Sequence, residues 1–131
     1  MTTAILSSIV AACVLTLIAA FQLLLALGLP FGEAAWGGAH RVLPAHLRLC
    51  SAIAVIALVL AGWIVLARAG VLTSPWQPAT VRFCTWGGFA ILALSTMGNL
   101  ASKSRIERLL MTPIALVGSI CFLLVALADQ A

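Results

Sequence analysis

Four apolar stretches of about twenty residues, separated by short polar segments, constrain the fold of this chain more than any other feature. About 20 residues of α-helix cross the hydrocarbon core of a bilayer. A backbone in lipid must satisfy its own hydrogen bonds, and helices do so within one segment. The sequence therefore predicts an all-α fold, an integral membrane bundle of four transmembrane helices forming a single domain over 1–131, with spans at about 3–29, 47–67, 80–100 and 109–128.

The amino-acid composition excludes an ordinary soluble domain and argues against several functional classes. The chain is 64% hydrophobic and 8% charged, whereas soluble domains carry about 25% charged residues. The basic residues lie at span ends and in loops, without a basic stripe interleaved with aromatics, so no nucleic-acid partner is expected. The four cysteines fall one per span with no C-x-x-C pair, which argues against a thiol–disulfide enzyme.

The distribution of Lys and Arg predicts the orientation of the spans. The second loop region carries only Arg68 and Arg82, whereas the first and third carry Arg41, Arg48, Lys103, Arg105 and Arg108. Because basic loops stay in the cytoplasm, the first and third loops are predicted to be cytoplasmic and both termini outside. Insertion in both orientations is the alternative. A protein that inserts both ways would show a still smaller difference in Lys and Arg between its loops.

The first loop, 30–46, is the most distinctive segment of the chain. Its basic side chains and the backbone N–H groups of Gly37 and Gly38 could hold phosphate headgroups, with Trp36 at headgroup depth. The simpler interpretation is an interfacial turn in which Glu33 pairs with an arginine. A divalent metal is a third possibility, but its candidate ligands match no pattern such as H-E-x-x-H, so no metal or other cofactor is predicted. Those candidates are Glu33, His40 and His46.

The third loop, 101–110, combines basic residues with one acidic residue. Lys103 and Glu107 are four residues apart, a spacing that stabilises a helical turn. Arg105 and Arg108 would then face lipid phosphates. The loop is interpreted as an orientation signal, and docking of a cytoplasmic partner is the alternative.

A few polar residues interrupt the spans. They should face the bundle interior or a neighbouring chain, as helix-to-helix hydrogen bonds or as a polar path. No charged residue lies at mid-membrane, which argues against a proton-coupled exporter. The polar residues are Gln22, Ser95, Thr96 and Asn99.

Two segments carry a resemblance. The run Gly28-Leu-Pro30-Phe-Gly32…Ala35-Trp36-Gly37-Gly38-x-His40-x-Val42-Leu43-Pro44…Leu47-Arg48…Ser51 and the run Asn99…Ser102-Lys-Ser104…Glu107-Arg108…Met111-Thr112-Pro113 resemble a family of small uncharacterised bacterial membrane proteins. The resemblance implies a bacterial four-span protein. It implies no activity and carries over no catalytic residue. The residues that carry it lie mostly in the two loops expected to share one face.

The predicted function is that of a non-enzymatic accessory or interaction protein, multi-pass in the bacterial cytoplasmic (inner) membrane. No nucleophile–base pair or pair of carboxylates indicates an enzyme. Loops 30–46 and 101–110 would contact lipid headgroups or a larger partner through Trp36, Gly37, Gly38, His40, Arg41, Arg48, Arg105 and Arg108. The alternative is a minimal homo-oligomeric transporter or channel for a small neutral or anionic solute, with the polar span residues shared between copies.

Overall fold

A computed structural model describes residues 1–128, and these residues fold into four long helices without a strand. The helices are α1 (Thr2–Ala26), α2 (Ala45–Arg68), α3 (Pro78–Leu100) and α4 (Thr112–Leu127). A π-helical turn, Glu107–Met111, precedes α4 and extends the fourth apolar helix to Glu107–Leu127. All four are long and apolar enough to cross a membrane. The predicted all-α four-helix membrane bundle is confirmed.

The helices run alternately up and down, which sorts the loops into two ends. Helix α1 packs against α2 and α4, and α3 packs against α4, whereas the contact between α2 and α3 is less extensive. The first loop (27–44) and the third loop (101–106) therefore lie at one end, called here the loop end. At the opposite end, Arg68 Nη2 donates a 2.9 Å hydrogen bond to the carbonyl oxygen of Ala128.

Close approach between α3 and α4 holds the centre of the bundle together. Phe122 of α4 is 0% exposed, and a Cβ added to Gly88 of α3 would lie 2.4 Å from its ring. Small residues allow such contacts, and packing of this kind drives helix association in lipid. The other buried side chains of this core are Ala11, Leu15, Val65, Leu92, Cys121 and Val125.

Helix α1 ends three residues before the predicted boundary at Leu29, and its capping geometry gives the reason. Gly28 adopts φ +89°, and the N–H groups of Gly28 and Leu29 donate to the carbonyl oxygens of Leu25 and Leu24. This pair of bonds is the Schellman motif, in which a left-handed glycine ends a helix. The apolar run continues past Gly28, but the helix does not.

The π-helical turn before α4 follows from Pro113. Proline has no N–H group, and its ring clashes with the carbonyl four residues earlier in an ordinary α-helix. Here the turn takes in one extra residue, so that the Thr112 N–H donates to the carbonyl oxygen of Glu107, five residues earlier. Turns of this type are frequent at functional sites. This turn begins at Glu107, the residue around which the loop end is organised.

Candidate functional site

The first and third loops are hydrogen-bonded to each other at the loop end. Ser104 Oγ donates a 2.6 Å bond to the carbonyl oxygen of Glu33. Gly38 has φ +72°, and a Cβ added to it would lie 2.8 Å from Ser104 Cβ and 2.9 Å from the same carbonyl oxygen. The backbone of the first loop therefore lies directly against the third loop, at a position that only glycine fits.

Glu107 is the centre of this contact. Its side chain is 5% exposed, and its carboxylate accepts hydrogen bonds from the Gly37 N–H at 3.1 Å and from the hydroxyl of Ser102. Ser104 Oγ accepts a bond from the Glu107 N–H at 3.3 Å and so caps the helix start. The sequence pattern suggested a pairing with Lys103. The structure corrects this, because the carboxylate turns inward to neutral donors while Lys103 is exposed.

Trp36 precedes these glycines in a strained conformation. Its φ is +52°, and Gly37 and Gly38 are also left-handed. Its Nε1 donates a 3.2 Å bond to Ser51 Oγ, a fully buried hydroxyl on α2. A bulky residue in this region costs about 1–3 kcal/mol, and such strain clusters at active sites and ligand clamps.

A cavity of about 540 Å³ lies directly beneath the docked loops. All four helices contribute to its lining, together with Ala34–Gly37 of the first loop and Ser102 and Glu107 at the third. The polar span residues Gln22, Ser95 and Asn99 also line it. The Oε1 atom of Gln22 is buried and has no hydrogen-bond partner within residues 1–128. The volume lies within the range of about 300–1,000 Å³ that is typical of small-molecule sites.

Thr96 does not join the other three polar span residues. Its Oγ1 donates a 2.8 Å bond to the carbonyl oxygen of Leu92 on its own helix. Ser95 and Asn99 are one helical turn apart and share the face that lines the cavity, whereas Thr96 lies about 100° away from Ser95.

The cavity has a polar end and an apolar end. Gln22, Asn99, Ser102 and Glu107 lie near the loops, Ser95 lies one turn deeper on α3, and the lining residues beyond it are apolar. Ile91 lies eight residues before Asn99 on α3, which places it about 12 Å further from the loop end. The deeper lining residues include Ile18, Leu58, Ile91, Leu92 and Ala115.

The exposure of the lining residues shows where the cavity opens. Every lining residue of α1 and α4 is buried or half-buried. The exposed ones lie on α2, on α3 and at the tip of the first loop, and they are Ala57, Ile91, Ser95, Gly98, Trp36 and Gly37. The opening is therefore between α2 and α3, the pair of helices that also packs less extensively.

The arginines predicted to contact headgroups fall into two groups. Arg48 Nε donates a 3.0 Å bond to the carbonyl oxygen of Ala26, and Arg108 Nη1 donates a 2.6 Å bond to that of Ser102. Both arginines are half-buried, and they hold the end of α1 and the backbone of the third loop in place. Arg41 and Arg105 are exposed on the first and third loops, as is His40.

The three metal-ligand candidates, Glu33, His40 and His46, are all exposed. Within residues 1–128, no three His, Cys, Asp or Glu side chains are close enough to hold a metal ion together.

The interior position of Glu107 and its contacts with Ser102 and Ser104 were not predicted from the sequence. One signal was present: Ser104-x-x-Glu107 precedes an apolar run, which is the capping-box pattern of a helix start. It places a helix start at Ser104, but it does not reveal that the carboxylate reaches Gly37.

Comparison with known proteins gave no match: no protein-family model, curated protein or solved structure matches this chain.

Proposed function

We propose that this is a non-enzymatic accessory protein of the bacterial cytoplasmic membrane whose loop end contacts anionic lipid headgroups. The first and third loops would lie on the cytoplasmic side and both termini outside, as the bias in Lys and Arg indicates. The observation that supports the proposal is the docking of two basic loops, distant in sequence, into one surface through Ser104 and Glu107.

The charges at the loop end favour an anionic contact. Arg41, Lys103 and Arg105 are exposed there, while the Glu107 carboxylate is turned inward. The exposed acidic residue of these loops is Glu33. A basic residue near an anionic membrane surface contributes about 1 kcal/mol of attraction.

Trp36 supports the placement of the loop end at the depth of the lipid headgroups. Its side chain is 44% exposed at the rim of the loop end, and its indole N–H is held by Ser51. Tryptophan is enriched at the depth of the headgroups, where one part of the ring meets apolar chains and another meets water. A fixed indole at this position would anchor the loop end at the interface.

Native mass spectrometry of the protein in nanodiscs of phosphatidylglycerol and phosphatidylcholine tests the proposal. The double variant Arg41→Gln/Arg105→Gln should retain about 30-fold less phosphatidylglycerol than the wild type, because it loses two attractions of about 1 kcal/mol each. Arg48 and Arg108 are left intact because their hydrogen bonds hold the backbone. Arg82→Gln, an exposed arginine at the opposite end, is the matched control and should change retention little.

Two results would contradict headgroup contact. One is unchanged phosphatidylglycerol retention in the double variant. The other is recovery of a larger protein partner from bacterial membranes, lost in the double variant, together with equal retention of the two lipids.

The transporter alternative required a polar lining shared between copies. The convergence of Gln22, Ser95 and Asn99 on a cavity within one copy instead favours ligand binding.

A further inference from the structure

We infer that the cavity beneath the docked loops binds an amphiphile with an ammonium headgroup, which enters from the bilayer between α2 and α3. This ligand site lies inside the bundle. It is separate from the proposed headgroup contact on the outer surface of the loops and does not depend on it.

The polar end of the cavity is suited to a positively charged donor. Glu107 lines this end, and within residues 1–128 its carboxylate accepts hydrogen bonds from a backbone N–H and a hydroxyl, both neutral. A buried carboxylate with neutral partners gains from a nearby cation. Gln22 also lines this end, and its buried side-chain oxygen accepts no hydrogen bond within residues 1–128. An ammonium group supplies three N–H donors and a positive charge, and it carries no acceptor that would be left without a partner.

Trp36 adds a second preference for a cation. Trp36 lines the same end of the cavity, and the face of an indole attracts ammonium groups by about 0.5–2 kcal/mol, depending on desolvation. The strained backbone and the hydrogen bond to Ser51 keep the ring at this position.

The rest of the cavity is suited to an alkyl chain. On α3 the lining is apolar beyond Ser95, at Leu92 and Ile91, and Ile91 lies about 12 Å deeper than Asn99. A ligand with its charged head at the loop end and its chain along α3 would match this order of polarity. Because the opening faces the lipid between α2 and α3, such a ligand could enter sideways from the membrane.

Isothermal titration of the full-length protein in a neutral detergent with decylamine and with decanol tests the inference. The two ligands share a chain and differ in the head group. Decylamine should bind at least tenfold more tightly, and Glu107→Gln should abolish that preference. Glu33→Gln, which alters the exposed carboxylate of the first loop, should preserve it. Equal affinity for the amine and the alcohol, or a preference that survives Glu107→Gln, would overturn the inference.

A second pair of variants tests the cavity without touching Glu107. Gly98 and Gly87 both lie on α3, and a Cβ added at either meets nothing within 4 Å. Only Gly98 lines the cavity. Gly98→Leu should therefore weaken decylamine binding about tenfold or more, whereas Gly87→Leu should leave it unchanged. Equal effects of the two substitutions would contradict binding in this cavity.

Two kinds of ligand have this chemistry: an aminolipid of the membrane and a soluble lipophilic amine. Native mass spectrometry from nanodiscs containing phosphatidylethanolamine and phosphatidylglycerol separates these sources. Selective retention of phosphatidylethanolamine, lost in Gly98→Leu, identifies a bilayer aminolipid. Binding of decylamine without retained phosphatidylethanolamine identifies a soluble amine. Binding of neither would overturn the inference.

Discussion

Replacing Glu107 with alanine should destabilise the protein far more than its place near a loop suggests. The carboxylate accepts bonds from the Gly37 N–H and the Ser102 hydroxyl, and its residue is 5% exposed. A hydrogen bond to a charged group contributes about 1.5–3 kcal/mol. With two such bonds, and using the lower value because the loops lie near water, Glu107→Ala should lower the free energy of unfolding by about 3 kcal/mol.

Titration with sodium dodecyl sulfate in mixed micelles, followed by circular dichroism, measures this change. Glu33→Ala is the control, since its carboxylate is exposed and only its backbone oxygen accepts the Ser104 bond. It should change the free energy of unfolding by no more than about 0.5 kcal/mol.

A double-mutant cycle with Ser102→Ala should give a coupling energy of about 1 kcal/mol. Equal destabilisation by Glu107→Ala and Glu33→Ala, or a coupling energy of zero, would contradict a stabilising role for the Glu107 hydrogen bonds.

Two further predictions compare neighbouring glycines by the same titration. Gly38→Ala should cost about 1–3 kcal/mol more than Gly37→Ala, because both are left-handed but only the Cβ at Gly38 overlaps the third loop; equal losses would mean that the loops separate easily. Gly88→Ala should destabilise by about 1–3 kcal/mol through overlap with Phe122. Gly87→Ala, with no such overlap, should be neutral or stabilise by up to about 1 kcal/mol, and a reversed order would contradict the close packing of α3 against α4.

Hydropathy alone predicted the four helices, because a bilayer requires long apolar segments whatever their detailed packing. The ends of the helices were less predictable. The apolar run of α1 continues to Leu29, yet the Schellman motif at Gly28 ends the helix earlier. Pro113 likewise produces a π-helical turn within an apolar segment that hydropathy treats as uniform.

The candidate site was predictable only in part. Alternation of the spans places the first and third loops at one end, and the spacing of Ser95 and Asn99 places them on one face of α3. The inward turn of Glu107 was not predictable, because it depends on Gly37, which is 70 residues away in the sequence. Glu107 and Lys103 lie four apart, and local spacing favoured that pair over the distant backbone donor.

The separation of the arginines into two groups also depends on contacts between residues far apart in the sequence. Arg41 and Arg48 look equivalent in the sequence, as basic residues flanking one span. In the fold, Arg48 reaches the carbonyl oxygen of Ala26 at the end of α1, whereas Arg41 stays exposed. Which arginine remains available to a lipid depends on where the preceding helix ends, and that in turn depends on Gly28.

An electron paramagnetic resonance measurement tests whether the first and third loops form one docked surface. Nitroxide labels would be placed at the exposed positions Ala39 and Lys103 of reconstituted protein, after alanine replacement of Cys13, Cys50, Cys84 and Cys121. The frozen spectrum of the doubly labelled protein should show strong dipolar broadening, and Glu107→Ala should reduce it. A doubly labelled spectrum equal to the sum of the two singly labelled spectra would mean that the two loops are not docked.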